Sequence, residues 1–229
     1  MQRTFLVRVV LAAAFLVPAT LAVAPGAARA CGSMLYLAHR NELRIPARPS
    51  SSELIAQAEQ ALSEGKQVQA AATALQAYPA LKIVKVGTLP LADRALRIVA
   101  LAAVRSDGGL STGSFTSKSA ADRAANLEWS VEVLRGLDAR RANNPTYQTD
   151  LGEALARVPA HREEAAKLLG DLADRDLLTS AEGYAALARL RAESGDQGAR
   201  DALVKRCEVM TKTPAVCRVP AATSGAGQT

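Results

Sequence analysis

The sequence predicts an all-α domain of about four antiparallel helix pairs, and three observations support that prediction. Of the 229 residues, 49% are apolar, mostly Ala and Leu, and only 3% are aromatic. That composition suits close helix packing better than a β-sheet, which favours β-branched and aromatic residues. Helix-capping sequences recur along the chain. The apolar residues that follow them recur at spacings of three and four, which places them on one helix face.

Capping and breaking residues divide the chain into helices. Ser50-x-x-Glu53 and Ser119-x-x-Asp122 have the form of capping boxes, and Thr179-x-x-Glu182 has the same spacing. Residues 81–87 are the one strand-like run and, without a partner strand, are expected to form a connector or helix extension. The predicted helices, caps included, cover residues 50–64, 68–78, 91–104, 119–143, 144–158, 162–173, 179–195 and 196–210.

Three segments are predicted to lie outside regular structure. Residues 31–50 form an irregular entry, because Pro46 and Pro49 exclude a helix there. Nine of the thirteen residues in 106–118 are Gly, Ser or Thr, which indicates a flexible loop inside a helical domain of residues 51–218. Residues 219–229 are mostly small and polar and are expected to be a disordered tail.

The spacing of small residues resembles that of the tetratricopeptide family of helical repeats. That family places small residues where the two helices of a repeat touch, about twelve and then seven residues apart. Arg200 departs from the pattern in the last pair, and the loop splits the second pair. The resemblance implies a solenoid with a protein-binding groove lined by the first helix of each pair; a non-repeat bundle is the alternative. The matching positions are Ala58, Ala70, Ala77, Ala154, Ala166, Ala173, Tyr184, Leu187, Ala188 and Gly195.

The first 30 residues have the features of a signal peptide. Arg3 and Arg8 precede an uncharged run over 9–24, and Ala28-Arg29-Ala30 offers the small residues that a signal peptidase reads. The run falls short of the ~20 residues that span a bilayer. We therefore expect export to the periplasm or the extracellular space. Cys31 would become the first residue and is a candidate for lipidation, although Arg29 departs from the usual lipobox; soluble export and a lipid anchor both remain open.

The three cysteines predict a disulfide in an oxidising compartment. Cys207 and Cys217 are the natural partners, because a short turn joins them, while pairing of Cys31 with either one is the alternative. Cys31, Met34 and His39 are the types of ligand that a soft metal prefers, but they lack the spacing of a metal site. No metal and no cofactor are predicted.

The charge pattern argues against a nucleic-acid partner. The net charge is +6, but residues 1–30 contain three arginines and no acid, so the remainder holds 25 basic and 22 acidic side chains. These charges are interspersed, and neither a dense basic patch nor a series of base-stacking aromatic residues is present in the sequence.

One motif points to catalysis. Gly109-x-Ser111-x-Gly113 has the form of the nucleophile turn of α/β-hydrolases, and Ser111, Asp138 or Asp150, and His161 follow in the hydrolase order. That turn requires a strand before it, whereas residues 91–104 are helical in pattern. An exported serine hydrolase is therefore the alternative function. The expected function is non-enzymatic protein–protein binding in the bacterial cell envelope, with an unidentified protein or peptide partner.

Four arginines are candidates for partner binding. Arg94, Arg97 and Arg105 share one helix face, and Arg189 lies on the first helix of a later pair. The family resemblance implies that such helices line the groove, where guanidinium groups would clamp carboxylates of a partner. The favoured interpretation, however, is an ordinary solvated charged face.

Overall fold

A computed structural model describes residues 48–219, and all of these form or connect α-helices. The prediction of an all-α fold is confirmed: within this range there are eight α-helices and no strand. Residues 1–30, Cys31, Met34, His39 and the tail beyond Val219 lie outside the described residues. The helices are α1 (Ser51–Ser63), α2 (Gln67–Ala77), α3 (Pro90–Arg105), α4 (Ala120–Arg140), α5 (Pro145–Leu155), α6 (Arg162–Asp174), α7 (Ala181–Glu193) and α8 (Gln197–Met210).

The helices pack in chain order and form a layer of odd-numbered helices. Each helix contacts the next, and in addition α1 contacts α3, α3 contacts α5, and α5 contacts α7. The helices α2, α4 and α6 each contact the odd-numbered helix before and after them. This order places α3, α5 and α7 side by side, so that side chains from three separate parts of the sequence meet.

Side-chain caps fix the helix starts. Ser50 and Ser119 form the capping boxes that their sequences predict, and Asn144 and Asp196 also cap as expected. The expected cap at Thr179 is wrong: Ser180 is the cap of α7 and accepts a hydrogen bond from the Gly183 amide. Tertiary contacts explain the difference, because the Ser180 hydroxyl also donates to a carboxylate of α5 and the Glu182 side chain turns towards α3 instead of back to a cap.

Two irregular segments connect the helices without forming strands. Residues Leu81–Ile83 make a single 3-10 turn, which confirms a connector in place of a strand. The loop over 106–118 is attached to α4: Leu110 and Phe115 are buried, and the Asn126 side-chain amide donates to main-chain carbonyls near both ends of the loop. The Gly, Ser and Thr content of the loop predicts flexibility, whereas these contacts hold the loop against α4. The composition of the loop cannot predict them, because they depend on residues of α4.

Two glycines allow α5 to approach both of its neighbours closely. A Cβ atom at Gly152 would lie 2.4 Å from Leu169 of α6, and one at Gly183 of α7 would lie 2.6 Å from Thr149 of α5. Any larger side chain would push these helices apart. Gly183 therefore helps to determine how far the polar residues of α5 lie from those of α7.

The predicted pairing of Cys207 with Cys217 is confirmed by a disulfide with a Cα–Cα distance of 5.7 Å. Cys207 lies on α8 and Cys217 ends a 3-10 turn over Pro214–Cys217, and both are buried. The turn packs against α7 and α8, and the disulfide fixes this turn to α8. None of the helices in residues 48–219 is long and apolar enough to cross a bilayer.

Candidate functional site

The centre of the odd-helix layer contains buried charge. Asp150 and Glu153 lie on one face of α5, and each is only 2% exposed. Arg97 of α3 binds Asp150 with a fork of two hydrogen bonds, Nε to Oδ2 at 2.5 Å and Nη2 to Oδ1 at 3.1 Å. Arg105, two to three turns further along α3, binds Glu153 in the same way and also reaches Glu182 of α7, with Nη1 at 3.2 Å from Oε1. We call these five residues the carboxylate network.

Each charged side chain of the carboxylate network has an ion-pair partner inside the network, with two arginines facing three carboxylates. Burial raises the pKa of Asp150 and of Glu153, and the paired arginines oppose that rise. Burial also acts against the charged form of Arg97 and of Arg105, but the facing carboxylates prevail and raise their pKa. Each charge therefore depends on its partner in the same network.

The expectation of a solvated arginine face on α3 is wrong for Arg105, whose side chain is only 12% exposed. Arg97 and Arg105 are committed to internal carboxylates and are not free to clamp those of a partner. Arg94 fits the expectation of a solvated face, because it pairs with Glu59 at the surface. Helix spacing places Arg97 and Arg105 on one face of α3. The carboxylates that they bind lie about 50 residues away along the chain, so the sequence pattern does not reveal them.

A pocket of about 230 Å³ adjoins the carboxylate network between α3, α5, α7 and the Pro214–Cys217 turn. Four arginines and two glutamates line it, together with small apolar side chains. Arg105, Glu153 and Glu182 form the wall shared with the network. The other arginines are Arg157, just after α5; Arg189, on α7; and Arg218, just after the disulfide. We call the cavity and these three residues the arginine pocket.

Two of the three residues of the arginine pocket, Arg189 and Arg218, have no ion-pair partner among residues 48–219. Arg189 is half-buried, and its side chain makes neither a hydrogen bond nor an ion pair with any residue in the range 48–219; the same holds for the side chain of the more exposed Arg218. Arg157 has one distant partner, the exposed Asp107, at 3.6 Å. Burial, together with the charge of Arg157, lowers the pKa of Arg189 to about 10, although Glu153, Asp107 and Glu193 act in the opposite direction. Arg189 is still a cation at neutral pH, and it has no paired anion among residues 48–219.

Only Arg189 of these three residues was singled out from the sequence. Arg157 and Arg218 follow the ends of a helix and of a 3-10 turn, where a charged side chain is ordinary. The sequence does carry one signal: Asp150, Glu153 and Arg157 recur at helix spacing, along α5 and its C-terminal extension, on a face that also carries apolar residues. Charged residues on a face that the apolar pattern assigns to the interior indicate a buried polar site.

The structure does not bring the residues of a serine hydrolase together. The Ser111 hydroxyl shares a hydrogen bond with that of Ser117 at 2.6 Å. Asp150 is held by Arg97, and the ring of His161 faces Glu128 and Glu164 at 3.7 and 3.8 Å. Asp138 bonds to none of them, and its buried Oδ1 has no hydrogen-bond partner. Over residues 48–219, no cluster of His, Cys, Asp and Glu has the form of a metal site.

No protein-family model matches the sequence, and neither a curated protein nor a solved structure is detectably similar to the chain.

Proposed function

We propose that this chain is an exported, non-enzymatic protein of the bacterial envelope, built from tetratricopeptide-like helix pairs, and that it binds a partner protein at the arginine pocket. Three features support the proposal: the signal-peptide features of residues 1–30, the repeat spacing of small residues, and the unpaired arginines. The third feature carries the most weight, because it alone gives the binding surface a chemistry.

The argument rests on Arg189. The half-buried guanidinium of Arg189 has lost hydration and gains no ion pair from residues 48–219 in return. An acidic side chain of a partner would supply that ion pair, with charge-assisted hydrogen bonds from a planar donor. Arginine is also one of the residue types most often found at the energetic centre of protein interfaces. The arginine pocket therefore has the properties of an anchor point for an acidic group.

The attachment of the protein in the envelope depends on Cys31. We propose that the mature chain begins there after cleavage behind Ala30 and is soluble, because Arg29 departs from a lipobox. The intact mass of the protein isolated from its native host tests this point. A mass equal to that of residues 31–229 with one disulfide is expected, whereas an added diacylglyceryl group would establish a lipid anchor.

Partner binding is tested by affinity capture from a native envelope extract with three proteins: the wild type, Arg189→Gln and Arg94→Gln. Arg94 is the matched control, because it is an arginine of the same layer that pairs at the surface with Glu59 and lies outside the pocket. We expect the wild type and Arg94→Gln to retain the same proteins and Arg189→Gln to lose them. Equal capture by all three would contradict the assignment of partner binding to the arginine pocket.

A further inference from the structure

The charge of the arginine pocket is not balanced by its own lining. Four arginines face two glutamates, which leaves an excess of two positive charges. Both glutamates are already bound by Arg105. The remaining excess therefore belongs to Arg157, Arg189 and Arg218. Among residues 48–219 only Arg157 of these three forms an ion pair, with the exposed Asp107, while Glu153, Asp107 and Glu193 act on Arg189 only at longer range.

The dimensions of the pocket limit what can enter it. Its volume of about 230 Å³ is below the range of roughly 300–1,000 Å³ that accommodates drug-sized ligands. The two lining glutamates would repel a large polyanion. Arg157, Arg189 and Arg218 all line this one small cavity, so a single anion inside it faces all three guanidinium groups. Size and charge together indicate a compact ligand with few negative charges.

We propose that the arginine pocket binds a small oxyanion with two negative charges, such as a dicarboxylate or a phosphate, between Arg157, Arg189 and Arg218, and that it does so without a partner protein. A dianion matches the charge excess of the lining, whereas a monoanion leaves one guanidinium uncompensated. Guanidinium groups bind carboxylate and phosphate oxygens with the same planar arrangement of donors, so both chemistries fit the donors present. This inference goes beyond the proposed function, since it requires no macromolecule.

The disulfide participates in this site by holding one of its walls. Arg218 directly follows Cys217, and the Pro214–Cys217 turn is fixed to α8 by the bond to Cys207. Val216 of the same turn lines the pocket beside Arg218. Loss of the disulfide would release this wall while leaving Arg157 and Arg189 on their own elements. The site is therefore expected to weaken, and not to disappear, when the disulfide is removed.

Calorimetric titration of the purified protein at low ionic strength tests the proposal with three probes: succinate, inorganic phosphate and acetate. We expect one binding site for succinate or phosphate. We expect the affinity for acetate to be lower by a factor of about ten or more, because a monoanion lacks one charge-assisted contact. Binding of succinate alone would identify a dicarboxylate site, and binding of phosphate alone a phosphate site. No binding of either dianion, or equal affinity for acetate, would overturn the proposal.

Variants assign the binding to these residues. Arg189→Gln and Arg218→Gln are each expected to weaken dianion binding about tenfold, while Arg94→Gln leaves it unchanged. Arg218 lies on an exposed turn, so its substitution reports on binding even if the α7 variant folds poorly. Unchanged affinity in both pocket variants, with helicity intact by circular dichroism, would overturn the assignment. If partner capture persists without dianion binding, the dianion proposal fails and the proposed function is retained. If the dianion binds but no partner is captured, the proposed function fails and the dianion proposal is retained.

Discussion

The carboxylate network and the arginine pocket share a wall of α3, α5 and α7, yet the arginines of the network are paired with carboxylates and, within the described part of the chain, two of those in the pocket are not. In the network, Arg97 and Arg105 each meet a buried carboxylate across a helix boundary. In the pocket, Arg189 and Arg218 meet none among residues 48–219. The difference shows that a buried arginine is not by itself a sign of function. What distinguishes the pocket is a half-buried cation that residues 48–219 leave without an ion pair.

This comparison separates stability from binding. Breaking a buried ion pair by removing one partner leaves an uncompensated charge and costs about 3–5 kcal/mol. Removing a cation that has no partner leaves no such charge behind. Substitutions in the network should therefore lower the free energy of unfolding, while substitutions in the pocket should alter ligand affinity and leave that free energy nearly constant.

The largest effect is expected for Asp150→Ala. The substitution deprives Arg97 of its fork partner in a buried site and should lower the free energy of unfolding by about 3 kcal/mol, measured by urea denaturation. Glu59→Ala is the matched control, because it removes the exposed carboxylate that pairs with Arg94 and should cost under about 1 kcal/mol. Equal losses of unfolding free energy in the two variants would show that the buried ion pair contributes no more to stability than the surface ion pair.

The next largest effect is expected when Cys207 and Cys217 are both replaced by Ala. Their sequence separation is 10, and closing a loop of that size stabilises by about 2–3 kcal/mol in the chain-entropy model. The loss is measured as a lower midpoint of chemical unfolding under oxidising conditions. Reduction of the wild type should reproduce the result, and the reduced double variant serves as the control. No difference between oxidised wild type and double variant would contradict a stabilising role.

A smaller effect is expected for Ser180→Ala at the start of α7. The variant loses both the cap on the Gly183 amide and the hydrogen bond to Glu153, which should cost about 1–2 kcal/mol in urea denaturation. Thr179→Ala is the control, since Thr179 occupies the position that the sequence pattern favours but does not cap the helix. A larger loss from Thr179→Ala would restore the original assignment of the cap.

Arg189→Gln should change the free energy of unfolding by no more than about 0.5 kcal/mol, and in the stabilising direction. The substitution removes a desolvated cation beside Arg157 and breaks no ion pair among residues 48–219. Thermal and urea unfolding measure this effect against Asp150→Ala. A loss comparable to that of Asp150→Ala would mean that Arg189 has a structural counterion and belongs with the network.

The smallest effect is expected at Ser111. Because its hydroxyl bonds only to Ser117 and is separate from His161, a fluorophosphonate probe should not label the protein, and Ser111→Ala should behave as the wild type. Labelling of the wild type that is lost in Ser111→Ala would revive the serine hydrolase.

The helices could be predicted from the sequence because their determinants are local. Ser50 with Glu53, Ser119 with Asp122, and Pro145 after Asn144 each act within one turn of the helix that they start. The site could not be predicted to the same extent, because its determinants are distant in sequence. Arg97 meets a carboxylate 53 positions away, and Ser180 replaces Thr179 as a cap while its hydroxyl bonds to a carboxylate 27 positions away. The sequence singles out Arg189 as a candidate for binding. That it has no ion-pair partner among residues 48–219 depends on how the helices pack and cannot be predicted from the sequence.

The most direct test of the account is nuclear magnetic resonance of the arginine side chains during titration with succinate and phosphate. The Nε–H signal of each arginine reports on its own hydrogen bonds, so network and pocket can be observed in one sample. We expect the Arg189 and Arg218 signals to shift together with saturation, while those of Arg97 and Arg105 stay in place because their donors already bind carboxylates. Absence of any shift at Arg189, or equal shifts at Arg97 and the surface residue Arg94, would contradict an anion site in the arginine pocket.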